Sequence, residues 1–209
     1  MKLNLLVIAF AACIGLLPDS PPNHGMPSRE SSSAARTYVI SKSYSTLSFT
    51  ATKWKVFKEE GLFHDFEGAF AYNAADPAKC KIDVTVRAAS LDTRNSTRDN
   101  VLRSDDFFDI AKYPTLAFHS TRIVPKETDS YEVTGDLTIH GVTRQITVPG
   151  QAIGVRDVPG AGEFAGFETT FTLDRRDYGV FGSRWSDNTL AIDPTISIHL
   201  LIGGVGQKK

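Results

Sequence analysis

Apolar and polar residues alternate through most of the chain from Thr37 onward. The clearest run lies between Tyr131 and His140, where apolar or small residues occupy every second position. Such a period of two is typical of a β-strand with one buried face and one solvated face. The same pattern recurs in Leu47–Ala51, Ile82–Val86, Leu116–Phe118, Phe167–Leu173 and Ile196–Leu200.

Turn-forming residues separate these runs and predict where the chain reverses. They are Asp76-Pro77, Gly141, Pro149-Gly150 and Pro159-Gly160. One helical segment is predicted from about Ser96 to Tyr113. Ser96 followed by Asp99 resembles a capping box at its start, and Pro114 ends it.

Many strands with one short helix predict an all-β domain, either a closed barrel or a sandwich of two sheets. Closure of about eight strands would leave an interior wide enough for side chains or for one slender ligand. The alternation alone leaves both architectures open. The length of 209 residues fits one such domain with a leader.

The amino terminus indicates export. An apolar run from Leu3 to Leu17 follows Lys2, and it is too short to span a bilayer comfortably. We therefore predict a signal peptide at residues 1–17, with a membrane anchor or a buried strand as the alternative. Residues 18–36 are rich in Pro, Ser, Gly and Asn and are predicted to be a disordered linker, followed by the folded domain at residues 37–203. The location expected is periplasmic or secreted.

Of the 2 cysteines, one lies in the predicted leader. Phe10-Ala11-Ala12-Cys13 resembles the lipoprotein-type sequence in which the cysteine carries the lipid, so anchoring through Cys13 is the alternative to release. Cleavage beyond Cys13 would leave Cys80 alone and would exclude an internal disulfide.

Net charge and motifs exclude several function classes. A net charge of -1 without a basic stripe argues against nucleic-acid binding. The 5 histidines show no metal-ligand spacing, and His119, His140 and His199 are expected to point outward because they are out of phase with the apolar face.

The sequence also lacks the signatures of common catalytic sites. There is no nucleophile elbow and no phosphate-binding glycine loop. We interpret Asp105-Asp106 as a helix cap rather than as an acid/base pair. We therefore predict no catalytic residue, no metal site and no enzymatic cofactor.

A series of short motifs runs through the predicted domain: Gly61–Gly68, Ser90–Thr93, Arg98-Asp99, Leu102–Asp109, Lys112–Pro114, Phe118, Ser120-Thr121, Gly135–Thr143 and Arg175–Val180. In this order they closely resemble the YceI family of exported, lipocalin-like proteins, from Thr37 to Leu200. The resemblance implies an extended eight-stranded antiparallel β-barrel that binds a polyisoprenoid or similar long-chain amphiphile in its lumen. It favours the barrel over the sandwich, and no catalytic activity is established for the family as a class.

The chain departs from the family pattern at a few positions. Tyr44-Ser45 stands where the family often has His-Ser, Val101 where it often has His, and His140 where Arg is common. If those side chains contact a ligand head group in relatives, the head-group preference of this chain differs.

The resemblance assigns the lumen to the inward-facing apolar residues, although the same residues could fill a dry core. They are Leu47, Phe49, Phe66, Phe70, Val84, Val86, Leu116, Phe118, Val133, Leu137, Ile139, Phe171, Leu173, Ile196 and Ile198. Trp54 and Trp185 could stand at the barrel mouth or pack inside.

Four charged residues of the motifs have two interpretations: Arg98, Asp99, Arg175 and Asp177. An arginine among them could bind a head group at the lumen opening, so we include Arg98 and Arg175 among the ligand-binding candidates. The favoured interpretation is that these charges tie the helical segment to the barrel rim.

The hypothesis that follows is an exported, non-catalytic carrier or store for an isoprenoid lipid, a quinone-like molecule or a fatty amphiphile. It allows transient membrane contact and a homodimer. The alternatives are an enzyme that uses the barrel as a substrate tunnel and a structural envelope protein with a solid core.

Overall fold

The computed structural model describes residues 34–182 and 191–207. The predicted signal peptide, Cys13, most of the predicted linker and Trp185 lie outside the described residues. Arg36, the last residue of the predicted linker, already belongs to the first strand.

Strands make up most of the described chain. They are β1 (Arg36–Ile40), β2 (Thr46–Lys53), β3 (Phe57–Phe63), β4 (Phe66–Tyr72), β5 (Lys81–Arg87), β6 (Leu91–Asp92), β7 (Thr115–Glu127), β8 (Ser130–Ile139), β9 (Val142–Val158), β10 (Gly162–Asp174) and β11 (Ile192–Gly206). One α-helix, α1 (Ser96–Arg103), precedes β7. Short 3-10 turns lie at Lys42–Tyr44, Pro77–Lys79, Ala88–Ser90 and Arg175–Tyr178.

Antiparallel pairing closes these strands into an eight-stranded barrel. The first strands come in bent pairs: β1 continues into β2, β3 into β4 and β5 into β6. The last strand, β11, pairs with β10, with β2 and with β1, and its pairing with β1 completes the ring. The all-β barrel implied by the resemblance is confirmed, and the sandwich is excluded.

The helix belongs to the connection between two strands that pair with different partners. β6 pairs with β3, and β7 pairs with β5. The segment between β6 and β7 carries α1, whose Val101 and Leu102 belong to the same apolar cluster as Leu116 of β7. The helix therefore packs its apolar face against this cluster, as expected for an amphipathic helix on a core.

The predicted start of the helix at Ser96 is confirmed, and its predicted end at Tyr113 is wrong. Asn95 is the N-cap, and its side chain accepts a hydrogen bond from the Arg98 backbone at 3.0 Å. The helix ends at Arg103, and the Ser104 hydroxyl donates to the Val101 carbonyl at 2.7 Å. The acidic pair Asp105-Asp106 follows directly. Continuing the helix by one turn would place these negative charges at the negative end of the helix dipole, which is unfavourable.

Most predicted turns are confirmed, and one is wrong. Gly141 and Gly160 adopt the positive φ values of 72° and 80° that tight turns require. Pro149-Gly150, in contrast, lies inside β9, where Pro149 pairs with Glu132 of β8. The pairing of β9 with β10 stops at Gln151, so the missing N–H of Pro149 breaks no ladder on that side.

Aromatic and branched residues fill one part of the barrel. The larger buried cluster contains Tyr38, Ile40, Leu47, Phe63, Phe66, Phe70, Val84, Val86, Leu91, Ala165 and Ile202. Within it the rings of Tyr38 and Phe70 stack at 5.2 Å between centroids. A second buried cluster is formed by Tyr131, Val133, Val148 and Ala152. This part of the interior is a packed core.

Replacing the buried Asp99 should destabilise the fold. One carboxylate oxygen of Asp99 accepts from the backbone N–H of Thr93 at 2.9 Å and from its hydroxyl at 2.6 Å. Asp99→Ala leaves both donors without this acceptor, so we expect a loss of about 2–4 kcal/mol in the free energy of unfolding. Urea denaturation measures it, and Asp157→Asn on the exposed face of β9 should change stability by less than about 0.5 kcal/mol.

Candidate functional site

A cavity of about 750 Å³ occupies the interior beside α1. Most of its wall is apolar and comes from strands on opposite sides of the barrel and from the loop after α1. The main contributors are Phe49, Phe63, Phe107, Phe108, Ile196 and Ile198. A volume of this size is typical of small-molecule binding sites, whereas close-packed interiors contain few voids larger than a water molecule.

The strand period explains why these side chains face inward. Phe49, Ala51 and Lys53 alternate along β2 and all three line the cavity. Leu173 and Arg175 do the same where β10 runs into the following 3-10 turn. The loop after α1 adds Phe107, which is buried, and Phe108.

Polar groups lie on one side of the cavity. Lys53 and Glu59 flank the turn between β2 and β3, and Thr93, Asn95, Thr97 and Arg98 come from the segment that begins α1. The guanidinium of Arg98 forms an ion pair with Glu59 at 2.5 Å, which joins the two groups. The cavity is thus amphipathic, with its polar end at the β2–β3 turn and α1.

The two candidate arginines line the cavity, and both are held by the chain itself. Arg98 donates to the hydroxyl and the carbonyl of Thr93, each at 2.8 Å. Arg175 donates to the carbonyls of Val180, Phe181, Ile192 and Asp193 at 2.6, 2.6, 3.1 and 3.3 Å. Burial lowers the pKa of the Arg175 guanidinium, which nevertheless stays charged at neutral pH.

The structure places only part of the predicted lumen set at the cavity: Phe49, Leu116, Ile139, Leu173, Ile196 and Ile198, with Arg98 and Arg175. Leu47, Phe66, Phe70, Val84 and Val86 are buried in the larger packed cluster. Val133 is buried in the second cluster, with Phe118 and Phe171 packed against it. Leu137 packs against a third cluster, which consists of Phe107, Ile139, Tyr178 and Val180. Phe70 also borders a separate pocket of about 30 Å³.

Several cavity residues were not predicted from the sequence. Phe107 and Phe108 follow the acidic pair that we read as a helix cap, although two adjacent phenylalanines are a signal for burial. Lys53 continues the alternation of β2 beyond the predicted strand. Tyr178 and Val180 come from the Arg175–Val180 motif and lie at the cavity wall. Trp54 is half exposed and lines the cavity, as the mouth interpretation expected.

Two of the three outward-facing histidines are confirmed. His119 lies 2.9 Å from Asp83 and His199 lies 2.8 Å from Glu168, both with exposed side chains. His140 was predicted wrongly: it begins the β8–β9 turn with a φ of 51°, and its ring packs 4.4 Å from that of Tyr113. The turn conformation rotates it away from the strand alternation.

Other chemistry-bearing groups lie away from the cavity. Cys80 is half-buried, burial raises the pKa of its thiol, and its sulfur accepts from the Asn73 N–H at 3.2 Å. Over residues 34–182 and 191–207, no group of three or more His, Cys, Asp or Glu could hold a metal ion. Over the same residues, no helix is long and apolar enough to cross a membrane.

The departures from the family pattern fall in different places. Val101 lines the cavity, so an apolar side chain occupies a position where the family often has His. Tyr44 is 59% exposed and packs edge-on against Phe164. It is not among the residues that line the cavity.

Sequence comparisons agree with the resemblance. A family model described as the YceI-like domain matches residues 38–202. A UPF0312 protein of Pseudomonas aeruginosa is 42% identical over 120 residues, which cover 57% of this chain and 62% of the relative. Protein YceI of Escherichia coli O157:H7 gives the same values. The chain thus spans less than two thirds of the length of these relatives.

Solved structures share the fold. Burkholderia cenocepacia BcnA aligns with a TM-score of 0.71 and 25% identity, over 78% of this chain and 98% of that one. The Campylobacter jejuni YCEI protein aligns at 0.64 and 30%, over 71% and 85%. A polyisoprenoid binding domain from Saccharophagus degradans aligns at 0.62 and 16%, over 81% and 98%.

Loss of the Arg175 side chain should destabilise the rim rather than act on a ligand alone. Arg175→Ala removes four hydrogen bonds to backbone carbonyls, and we expect about 2–4 kcal/mol less stability. Arg175→Lys should recover only part of it, because an ammonium lacks the guanidinium fork. Thermal unfolding measures the effect, with the exposed Arg122→Ala as control. Wild-type stability combined with lost ligand binding would instead make Arg175 a ligand contact.

Proposed function

The chain belongs to the YceI-like domain family, and from this membership and its cavity we propose that it binds one long-chain amphiphile, of polyisoprenoid or similar type, inside the barrel. The observation that carries the proposal is the amphipathic cavity of about 750 Å³. The naming of a Saccharophagus degradans protein of the same fold as a polyisoprenoid binding domain supports the ligand class.

The distribution of polar groups orients the proposed ligand. The tail lies among Phe49, Phe108 and Ile198, where it meets only apolar groups. The head group lies near Lys53, Asn95 and Thr97, at the polar end. Because Glu59 is already paired with Arg98, its charge is largely compensated. The ammonium of Lys53 is then the charge best placed to meet a polar or anionic head group.

The energetics favour an exchanging carrier over a trap. Each methylene-sized group gains about 0.8 kcal/mol on leaving water, but the tail of a membrane lipid is already in hydrocarbon. Transfer from a bilayer into the barrel therefore brings little hydrophobic gain, and shape and head-group contacts decide occupancy. This balance suits a protein that takes up and releases lipid.

We further propose that the protein is exported and does not catalyse a reaction on its ligand. Export rests on the predicted signal peptide at residues 1–17, with anchoring through Cys13 as the alternative. Several polar groups at the cavity hold the chain together: Arg98 binds Glu59 and Thr93, and Thr93 binds Asp99. An enzyme would need such groups free to meet substrate.

Native mass spectrometry of the protein purified without detergent, followed by organic extraction, tests the proposal. We expect one long-chain species per barrel, or stoichiometric uptake of an added isoprenoid quinone by the empty protein. A protein that is empty and also fails to take up the quinone would contradict it and favour a structural envelope role.

A larger side chain in the cavity wall should weaken ligand uptake with little effect on folding. Ala51→Phe adds a ring to the cavity wall, where it competes with the tail for space. Thr50→Phe places the same ring on the outer face of the same strand and is the matched control. We expect at least about tenfold weaker quinone binding for Ala51→Phe, equivalent to about 1.4 kcal/mol, and wild-type binding for the control. Equal binding by the two variants would place the ligand elsewhere.

A further inference from the structure

The turn between β2 and β3 exposes three large apolar side chains. Trp54, Val56 and Phe57 are 53%, 74% and 55% exposed. This tip, which we define as Lys53–Lys58, is adjacent to the opening, since Lys53 and Trp54 also line the cavity. A cluster of exposed apolar groups beside a ligand cavity marks an interaction surface, whereas isolated ones need no explanation.

The backbone of the tip adopts an uncommon conformation. Trp54 and Lys55 both have positive φ values, 51° and 57°, which non-glycine residues rarely adopt. The rings of Trp54 and Phe57 meet edge-on with their centroids 6.2 Å apart. The backbone N–H of Trp54 donates to the Ala191 carbonyl at 3.2 Å. Backbone strain of this kind clusters at functional sites, and here it accompanies exposed apolar side chains.

The charges around the tip are unbalanced. Lys53, Lys55 and Lys58 take part in none of the ion pairs of the described residues. The ammonium of Lys53 lies 4.3 Å from the Trp54 ring centroid.

The charges of the two acidic residues next to the tip are compensated, that of Glu59 by Arg98 and that of Glu60 by Arg94. The tip therefore combines apolar groups with excess positive charge.

We propose that the Lys53–Lys58 tip docks the barrel on a lipid bilayer that contains anionic lipids. Trp54, Val56 and Phe57 enter the interfacial region, and the lysines meet the phosphate groups. The inference rests on the proposed function, because docking here sets the cavity opening against the membrane from which the amphiphile is taken. Phe181, which is 53% exposed, is a further exposed apolar residue and follows the cavity-lining Val180 in the chain.

Another exposed apolar group provides a matched comparison. Ile153 and Val155 on β9 are 57% and 42% exposed, and neither lines the cavity. Replacing them by serine removes a similar amount of exposed apolar surface from a different place. The double variant Ile153→Ser with Val155→Ser is therefore the control for Val56→Ser with Phe57→Ser.

Vesicle flotation of the full chain tests the docking. The wild type should float with vesicles of phosphatidylglycerol and phosphatidylcholine and much less with phosphatidylcholine alone. We expect about tenfold weaker binding for Val56→Ser with Phe57→Ser, and for Lys55→Glu with Lys58→Glu, and wild-type binding for the β9 control. Equal flotation of all variants, together with the unchanged emission described next, would overturn the proposal.

A second readout does not depend on the amino-terminal segment. In a Trp185→Phe background Trp54 is the remaining tryptophan, and its emission should shift to the blue on anionic vesicles as the ring leaves water. Adding Ala51→Phe weakens lipid uptake, so a shift that persists there at full size reports docking and not lipid uptake. Absence of the shift in both backgrounds would overturn the docking.

The two proposals fail in distinguishable ways. Tip variants that lose vesicle binding while they still take up an isoprenoid quinone added in solution support docking as a separate property of the tip. Docking that persists in a protein unable to take up quinone would leave this inference standing and contradict the proposed function. A dimer that dissociates in Val56→Ser with Phe57→Ser, without vesicle binding by the wild type, would assign the tip to contact between copies and overturn docking.

Discussion

The barrel depends on a change of partner along its last strand. β11 pairs with β2 up to Leu201 and with β1 from Gly204 onward. At the change, Gly203 donates to the Ser45 hydroxyl at 2.9 Å and accepts from the Ser41 N–H at 2.9 Å. A Cβ at Gly203 would lie 2.6 Å from the Cβ of Tyr44, so only glycine lets the β1–β2 bend approach this closely.

This bend separates the two regions of the interior. On the β1 side the stacked rings of Tyr38 and Phe70 fill the space, and Gly204 leaves room for them. On the β2 side, Phe49 and Ala51 face a space whose wall is completed by residues of α1, and a cavity remains there. A packed half thus supplies the stability that lets the other half stay open, since an unfilled interior contributes no packing energy of its own.

The sequence predicted which residues face inward but not at which level of the barrel they lie. The alternation of β8 was clear because one face of the strand meets water. Phe66 and Phe49 follow the same alternation, but Phe66 faces the packed cluster and Phe49 faces the cavity, which the alternation does not show. Pro149-Gly150 was predicted as a turn because the sequence does not show where the pairing of β9 with β10 stops. That pairing stops at Gln151, and this lets a proline lie inside β9. The Phe107-Phe108 pair was missed because its burial depends on the early end of α1.

The hydrogen bonds of Arg175 also bear on how such a protein could diversify. The guanidinium holds the carbonyls of Val180 and Phe181, which follow β10, and those of Ile192 and Asp193, which begin β11. One side chain therefore ties the segment that follows β10 to the start of β11 through the fold itself, independently of the covalent connection between them. The connection between β10 and β11 is therefore a place at which the chain could be cut or extended, by evolution or by engineering, while the barrel stays the same.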